Sequence, residues 1–273
     1  MPELPEVETI RRGLAPLLIK QEIKAVTTRR ENLRWPMPIK ELADNLPGHT
    51  IDDVSRRGKY LLMPIGRGSL IVHLGMSGVL RHHKKNIPYV KHDHFDIAFK
   101  NGSHLRLNDP RRFGAVLWTS EPPLNHPLLA KLGPEPLLAD FNADYLYEKS
   151  RGRKGGIKSF LMDSQVVVGA GNIYAAESLF IAKINPLRPA GKLDKKDCEK
   201  LVAAIKKILL ASIELGGTTL KDFRNEDGKP GYFQQSLNVY GRGGEECVVC
   251  AATIEQYRSG GRATAFCPQC QKK

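Results

Sequence analysis

The sequence lacks any long apolar segment. No apolar run approaches the roughly 18 residues that a helix needs to cross a bilayer. The N-terminus carries two early acids and no apolar core, which excludes a secretory signal peptide. Hydrophobic residues make up 41% of the chain and charged residues 26%, so wholesale disorder is excluded as well. These absences predict a globular cytoplasmic protein without membrane contact, and its 273 residues predict about two domains.

Acidic residues are scarce relative to basic ones. The chain has 42 Lys and Arg against 29 Asp and Glu, a formal net charge of +13. Such a balance bears on partners rather than on fold. Nucleic acid is the polyanion that a basic protein of this kind most often binds. A basic surface without a specific partner is the alternative.

Cysteine is rare, and four of the five residues lie at the C-terminal end. They form two C-x2-C pairs separated by 16 residues: Cys247, Cys250, Cys267 and Cys270. This spacing is typical of a four-thiolate zinc site, and disulfides are disfavoured in a reducing compartment. The sequence therefore predicts one structural zinc ion. The fifth cysteine, Cys198, lies in a helical pattern and is expected to be inert.

Short alternating runs dominate residues 23–120. We expect strands at residues 60–65, 70–73, 95–99 and 115–118. Asn101-Gly102 lies between two alternating runs, which is a strong hairpin signal. The many short strands favour a sandwich or a barrel.

The rest of the chain has mainly helical periodicity. Five prolines within residues 121–136 indicate a connection between domains. Glycine and charge without clear periodicity predict a loop over residues 216–236. Helices are predicted at residues 5–18, 141–150, 157–164, 173–182 and 194–215.

The N-terminus offers a candidate nucleophile. Pro2 follows Met1, and a small second residue normally permits removal of the initiator methionine. The exposed secondary amine would have a pKa of about 7.7–8.0, so part of it is neutral at cellular pH. Its attack on an aldehyde-level carbon gives an iminium, which acts as an electron sink. Glu3 and Glu6 could transfer protons; the alternative is a proline and acids that merely begin a helix.

A glycine-rich turn offers candidate phosphate contacts. Residues 169–172 permit a tight turn, with Asn172 as a helix N-cap whose neighbouring N–H groups could hold a phosphate. The basic residues upstream lie without an acid until Asp163, and the alternative is a solvated charged segment: Lys149, Arg151, Arg153, Lys154 and Lys158.

A second turn, residues 108–114, pairs two arginines with an aromatic. Arg111 and Arg112 suit phosphate contact, and Phe113 suits insertion into a base stack. The alternative is a hairpin turn with Phe113 in the core. Lys59 precedes a predicted strand, where a surface lysine would also be ordinary.

Eight ordered motifs together resemble the bacterial formamidopyrimidine-DNA glycosylase (Fpg/MutM) family of DNA repair enzymes, within the Fpg/Nei superfamily. They span the whole chain: PELPEVET at 2–9, SRRGKYLL at 55–62, HLGMSG at 73–78, KHDHFD at 91–96, NDPRRFG at 108–114, VVGAGNIYAAESLF at 167–180, DGKPGYF at 227–233 and the four terminal cysteines.

The resemblance implies a multidomain α+β fold. An N-terminal helix and antiparallel β-sandwich would form the catalytic domain, residues 1–133. A helical helix-two-turn-helix domain would cover residues 134–236, and a β-hairpin zinc finger residues 237–273. Residues 218–233 would form a loop over the extruded base.

The resemblance also implies residue roles. Pro2 would be the nucleophile, Glu3 the acid/base, and Lys59 a contact to the phosphate beside the lesion. Three residues would fill the space left by the flipped nucleotide: Met76, Arg111 and Phe113. The other expected DNA contacts are His92, Arg112, Lys154, Asn172 and Arg262.

The implied function is base excision repair, by a DNA glycosylase/AP lyase that removes oxidised purines and then cuts the strand by β,δ-elimination. The expected partner is double-stranded DNA with oxidised bases or abasic sites. We expect a monomer in the bacterial cytoplasm, associated with the nucleoid. The alternatives are an endonuclease VIII-like enzyme for oxidised pyrimidines and a non-catalytic zinc protein that binds lesions.

Overall fold

A computed structural model describes residues 2–217, 237–259 and 261–272. The described residues form two compact units: residues 2–131 with 215–217, and residues 132–214 with 237–259 and 261–272. Met1 and the predicted loop at 218–233 lie outside the described residues. Within the described part, no helix combines the length and the apolar character that crossing a membrane requires.

The first unit joins an N-terminal helix to eight strands. Helix α1 spans Leu4–Leu18 and a short α2 spans Ile39–Asn45. The strands are β1 Ile23–Thr28, β2 Ser55–Arg57, β3 Tyr60–Ile65, β4 Gly68–His73, β5 Val79–His83, β6 Asp93–Phe99, β7 His104–Asn108 and β8 Ala115–Thr119.

The strands form two four-stranded antiparallel sheets, ordered β1-β6-β7-β5 and β2-β3-β4-β8. The hairpin predicted at Asn101-Gly102 is confirmed, because β6 pairs with β7 through Ala98 and His104. β7 and β8 lie in different sheets. Residues 109–114 are therefore a crossover between sheets, and the alternative of a hairpin turn there is wrong.

A single buried cluster joins both sheets and α1. Leu61 and Val72 come from one sheet and Ile97 from the other, and each is fully or almost fully buried. Helix α1 adds residues spaced four apart, including Ile10 and Leu14, as an amphipathic helix should. The choice between sandwich and barrel is thus settled in favour of the sandwich. Helix α2 has one buried residue, Leu42, and so gives no periodic signal in the sequence.

The second unit contains four helices and a C-terminal hairpin. The elements are α3 Ala143–Ser150, α4 Ile157–Leu161, α5 Asn172–Ile181, α6 Lys195–Glu214, β9 Glu255–Ser259 and β10 Arg262–Phe266. Short 3-10 turns occur at Pro123–Asn125 in the first unit and Ala190–Lys192 in the second. The predicted helix at 157–164 ends early, because the Asp163 side chain accepts the backbone N–H of Gln165 at 2.9 Å and begins a turn.

A buried carboxylate holds the C-terminal module on α5. Glu177 is fully buried and accepts backbone N–H bonds from Asn238, Val239 and Tyr240 at 2.8–2.9 Å. The amide side chain of Asn238 donates a fourth bond at 2.9 Å. One side chain therefore satisfies the backbone where the chain re-enters the second unit.

We expect Glu177→Gln to lower the free energy of unfolding by about 1–3 kcal/mol, because an amide N–H₂ group would face buried N–H donors. Denaturant unfolding of zinc-loaded protein measures this change. The exposed Glu199→Gln on α6 is the matched control and should leave the midpoint unchanged. Equal midpoints for the two variants would contradict the role of Glu177.

Candidate functional site

The start of α1 places two carboxyl groups beside the candidate nucleophile. Pro2 is buried, and Glu3, the N-cap of α1, is 2% exposed. Glu6 completes a capping box, since its Oε2 accepts the backbone N–H of Glu3 at 2.7 Å. Gly217 adopts a positive φ of 85°, and a Cβ there would stand 3.2 Å from Glu6 Cγ and Oε1. Gly217 therefore lies next to the capping box of Glu3 and Glu6.

Arg56 forms a bridge between α1 and the turn that holds Lys59, through one ion pair and one hydrogen bond. Arg56 donates to Glu8 Oε2 at 3.1 Å and, through Nη1, to the carbonyl oxygen of Gly58 at 2.8 Å. Gly58, at φ 57°, and Lys59 form the turn between β2 and β3. Lys59 is thus held in a hairpin whose backbone is connected to α1 through Arg56.

The carboxylate of Glu8 anchors this bridge. Arg11 and Arg12 donate to it at 2.8–3.0 Å, in addition to Arg56. Burial raises the pKa of Glu8, but the hydrogen bonds from Arg11 and Arg12 outweigh it and lower the pKa to about 2. Glu8 is therefore ionised throughout the neutral range.

A neutral histidine at the end of β4 holds the loop that contains Met76. Burial, together with the charges of Lys59 and Arg34, lowers the pKa of His73 to about 4. His73 Nδ1 then accepts the backbone N–H of Gly75 at 3.1 Å. This bond fixes the start of the turn in which half-buried Met76 lies.

Asp109 joins the Met76 loop to the crossover. Its fully buried carboxylate accepts the Ser77 hydroxyl at 2.7 Å and the Gly114 backbone N–H at 2.8 Å. Ser77 Oγ in turn accepts the backbone N–H of Arg111 at 3.1 Å. The loops also touch directly, because a Cβ on Gly75 would overlap the backbone of residues 113–114.

The crossover presents its long side chains to solvent. Arg111 and Arg112 are exposed, and Phe113 is 44% exposed with its ring centroid 5.2 Å from the Arg111 guanidinium carbon. A core position for Phe113 is therefore wrong. His92 also belongs to this unit; it adopts φ 74°, and its carbonyl oxygen accepts the Asp109 N–H at 3.0 Å.

In the second unit, Asn172 has a different local role from the one predicted. Gly171 is the N-cap of α5 and Asn172 is its first residue, so the N-cap assignment is wrong. Asn172 Oδ1 instead accepts a hydrogen bond from Lys158 Nζ at 2.6 Å. This contact orients the Asn172 amide at the start of the helix.

Lys158 reaches from Asn172 to the hairpin of Arg262. The side chain is 4% exposed and also donates to the Ala263 carbonyl at 2.9 Å and the Thr264 hydroxyl at 2.8 Å. Arg262 is exposed at the start of β10, next to these acceptors. Lys158 therefore belongs to the interior and not to a solvated basic segment, whereas Lys154 is exposed.

The four terminal cysteines converge as a metal centre. All four sulfur atoms lie within 4.8 Å of one another, with Sγ–Sγ separations of 3.4, 3.5 and 3.9 Å for three pairs. A tetrahedral zinc ion with Zn–S bonds of about 2.3 Å needs sulfur atoms about 3.8 Å apart. The residues present therefore fit one zinc ion, and four thiolates leave no open position for water.

The fifth cysteine is chemically silent. Cys198 is fully buried in α6, and burial raises the pKa of its thiol to about 11. The thiol is therefore protonated at neutral pH, as expected of an inert residue.

The sequence patterns did not identify four residues that orient the others: Glu8, Arg56, Asp109 and Glu177. They placed Lys158 among the candidate phosphate contacts, whereas it donates its hydrogen bonds within the interior. Lys158 does leave a signal, because it is flanked by Ile157, Phe160 and Leu161 on a short helix that buries them. The others look like ordinary surface charges in the sequence.

Three family models match successive parts of the chain. The Formamidopyrimidine-DNA glycosylase N-terminal domain matches residues 1–116, its H2TH domain residues 132–224, and a zinc finger found in FPG and IleRS residues 244–273. The formamidopyrimidine-DNA glycosylase of Teredinibacter turnerae is 57% identical over 272 residues, which cover 99% of this chain and 100% of the relative. The chain belongs to the formamidopyrimidine-DNA glycosylase family.

Solved structures of formamidopyrimidine-DNA glycosylases share the fold. A point mutant of the Lactococcus lactis enzyme, in complex with Fapy-dG-containing DNA, has a TM-score of 0.91 and 37% identity, covering 100% of both chains. The Lactococcus lactis enzyme with abasic-site DNA has a TM-score of 0.92 and 37% identity, covering 99% of this chain and 100% of that one. The predicted fold class and zinc finger are confirmed.

The depressed pKa of His73 predicts a pH dependence of stability. The pKa of His73 is about 4 in the folded protein, below the ordinary 6.5. The free energy of unfolding is therefore unaffected by the protonation of His73 above pH 6.5 and falls as the pH is lowered towards 4, because the unfolded chain takes up the proton first. The loss is on the order of 3 kcal/mol. Chemical unfolding at several pH values should show this loss of unfolding free energy in the wild type and not in His73→Gln. The exposed His49→Gln is the control, and a wild-type-like loss in His73→Gln would refute the assignment.

Proposed function

We propose that this chain is a bifunctional DNA glycosylase and AP lyase of base excision repair. It excises oxidised purines, namely formamidopyrimidines and 8-oxoguanine opposite cytosine. The observation that carries this proposal is the buried Pro2 and Glu3 at the start of α1, braced by the Glu6 capping box. Full-length relationship to enzymes complexed with Fapy-dG or abasic DNA supports the substrate class.

The chemistry begins at the mature N-terminus. The lone pair of the Pro2 nitrogen forms a bond to the sugar C1′, and the damaged base leaves with the glycosidic electron pair. The Pro2 nitrogen then loses its N–H proton, which balances the proton that the departing base takes up. Glu3 protonates the ring oxygen as the C1′–O4′ bond opens, which yields an iminium between Pro2 and the sugar. The iminium acidifies the C2′ hydrogen. Its removal expels the 3′ phosphate, and a second elimination expels the 5′ phosphate.

The remaining residues bind and distort the DNA. Lys59 holds the phosphate beside the lesion. Extruding a base costs a few kcal/mol, and Met76, Arg111 and Phe113 offset this cost by filling the vacated space. The other phosphate contacts are His92, Arg112, Lys154, Asn172 and Arg262.

We assign these roles to three functional domains. Residues 1–133 form the catalytic domain, residues 134–236 the helix-two-turn-helix domain with the lesion-covering loop 218–233, and residues 237–273 the zinc finger. The zinc ion, held by the four terminal cysteines, supplies stability to a segment with few large apolar residues. The enzyme works as a monomer in the cytoplasm, associated with the nucleoid.

The alternatives differ at identifiable residues. An endonuclease VIII-like enzyme lacks the insertion set, whereas Met76, Arg111 and Phe113 sit here on two loops joined by Asp109. A lesion binder without catalysis has no need of Pro2 and Glu3. A panel of oxidised bases separates the two enzyme branches, and cleavage of an abasic site separates enzyme from binder.

Borohydride should trap a covalent complex with abasic or 8-oxoguanine DNA, because it reduces the iminium to a stable amine. An extended N-terminus converts Pro2 into an amide, and this variant should lose trapping and keep DNA affinity.

Glu3→Gln should slow base excision strongly and abasic-site cleavage less, because an abasic site already has an open aldehyde fraction. Gel electrophoresis separates the trapped complex, the cleaved strand and the intact strand, and so measures both trapping and cleavage. Strand cleavage without trapping by the wild type would contradict the mechanism.

Arg111→Ala should lower excision of 8-oxoguanine and affect cleavage of a preformed abasic site less, because that substrate has no base to extrude. The guanidinium donors suit the acceptor edge of cytosine, so the preference for cytosine over adenine should also weaken. Single-turnover rates measure both effects on three duplexes, which carry 8-oxoguanine opposite cytosine, 8-oxoguanine opposite adenine, or a preformed abasic site. Arg112→Ala is the contrast, since loss of a phosphate contact should weaken binding to all three alike. Equal losses for Arg111→Ala on all duplexes would contradict the insertion role.

A further inference from the structure

A basic hollow lies beside β6 in the first unit. The hollow has a volume of about 350 Å³. Its lining includes Arg29, Arg30, Tyr89, Lys91 and His92. Of these, only His92 has a role in the function proposed above.

One wall of the hollow is formed by residues 87–92, which we call the strap. The buried side chain of Arg106 fixes the strap by hydrogen bonds to its backbone. Arg106 is 3% exposed and donates through Nη1 to the carbonyl oxygens of Ile87 at 3.2 Å and Pro88 at 3.3 Å. Its Nε donates to Asp96 at 2.7 Å. The strap therefore rests on an ion pair that cannot reorient without leaving buried charge unpaired.

The other end of the strap is fixed by Asp93 and Asn108. Asp93 Oδ2 accepts the Val90 backbone N–H at 2.9 Å, and Asp93 Oδ1 accepts the Asn108 amide at 2.8 Å. The same Asn108 amide donates to the Lys91 carbonyl oxygen at 3.0 Å. The backbone that presents Lys91 and His92 is thus held at several points.

Tyr89 positions an arginine at the rim. Its ring centroid lies 4.1 Å from the Arg106 guanidinium carbon and 4.6 Å from that of Arg29. Arg29 Nη1 also donates to the Asp93 carbonyl oxygen at 3.4 Å. The Arg29 guanidinium is therefore placed before any ligand arrives.

The charge of the hollow is uncompensated within its lining. The acid among the described lining residues is Asp93, whose carboxylate is turned to Arg106, Asn108 and the Val90 N–H. Burial lowers the pKa of His94 below its ordinary value, although the hydrogen bond to the Asp109 carbonyl oxygen opposes this shift. Arg29, Arg30 and Lys91 leave a net positive hollow.

We propose that this hollow is a built phosphate subsite that holds one phosphodiester of the DNA backbone through Arg29, Arg30 and Lys91, beyond the contacts assigned above. The inference rests on the proposed function, because the bound anion is part of the substrate DNA. The fixed strap and the stacked Arg29 lower the ordering cost of binding. The subsite lies outside the chemistry and serves affinity and placement of the duplex.

The test is the salt dependence of binding to a duplex with a tetrahydrofuran abasic analogue, measured by fluorescence anisotropy from about 50 to 200 mM salt. Arg30→Ala and Lys91→Ala should each weaken binding by up to about fivefold. The double variant should reduce the slope of log K against log salt by about 0.9, the value for one lost phosphate contact. Arg67→Ala, an exposed arginine in the β3–β4 turn, should keep the wild-type slope.

Tyr89 distinguishes a built subsite from a diffuse basic surface. Tyr89→Ala removes no charge, yet it should weaken binding, whereas Tyr89→Phe keeps the stacked ring and should bind like the wild type. Wild-type affinity and slope in Tyr89→Ala and in the double variant would overturn the subsite and leave the proposed function intact. Failure of the wild type to bind or cut lesion DNA would instead overturn the proposed function.

Discussion

The carboxylate of Glu8 connects the two parts of the candidate active site within the first unit. It accepts hydrogen bonds from Arg11, Arg12 and Arg56, and Arg56 carries the connection to the turn at Gly58 and Lys59. With its pKa near 2, Glu8 stays ionised. The contacts of Glu8 and Arg56 therefore hold helix α1 and the turn of Lys59 together.

Buried or half-buried carboxylates recur as the devices that fix backbone at functional positions. Glu6 fixes the backbone of Glu3, Asp109 fixes two loops through Ser77 and Gly114, and Glu177 fixes the chain at 238–240. Each accepts backbone N–H or hydroxyl donors, which makes each interaction directional. Rigid placement of this kind is what insertion of side chains into DNA and attack by a terminal amine both require.

Local patterns predicted much of the fold and of the site. The spacing of the cysteines, the Asn101-Gly102 hairpin and the four-residue repeat in the helix predicted at 194–215 each depend on neighbours in the sequence. Contacts between distant residues were beyond such patterns. Lys158 meets Ala263 across 105 residues, and Glu177 meets Val239 across 62. For the same reason the sequence permits both a hairpin turn and an insertion loop at 109–114, because the outcome depends on which sheet receives β8.

The most direct measurement is peptide mapping, by mass spectrometry, of the reduced adduct between mature protein and abasic DNA. Two amines are candidates in the first unit, the Pro2 nitrogen and the Lys59 side chain. Attack by the terminal proline predicts that the sugar mass lies on the N-terminal peptide, at Pro2. An adduct confined to the peptide of Lys59 would contradict it and make the lysine the nucleophile.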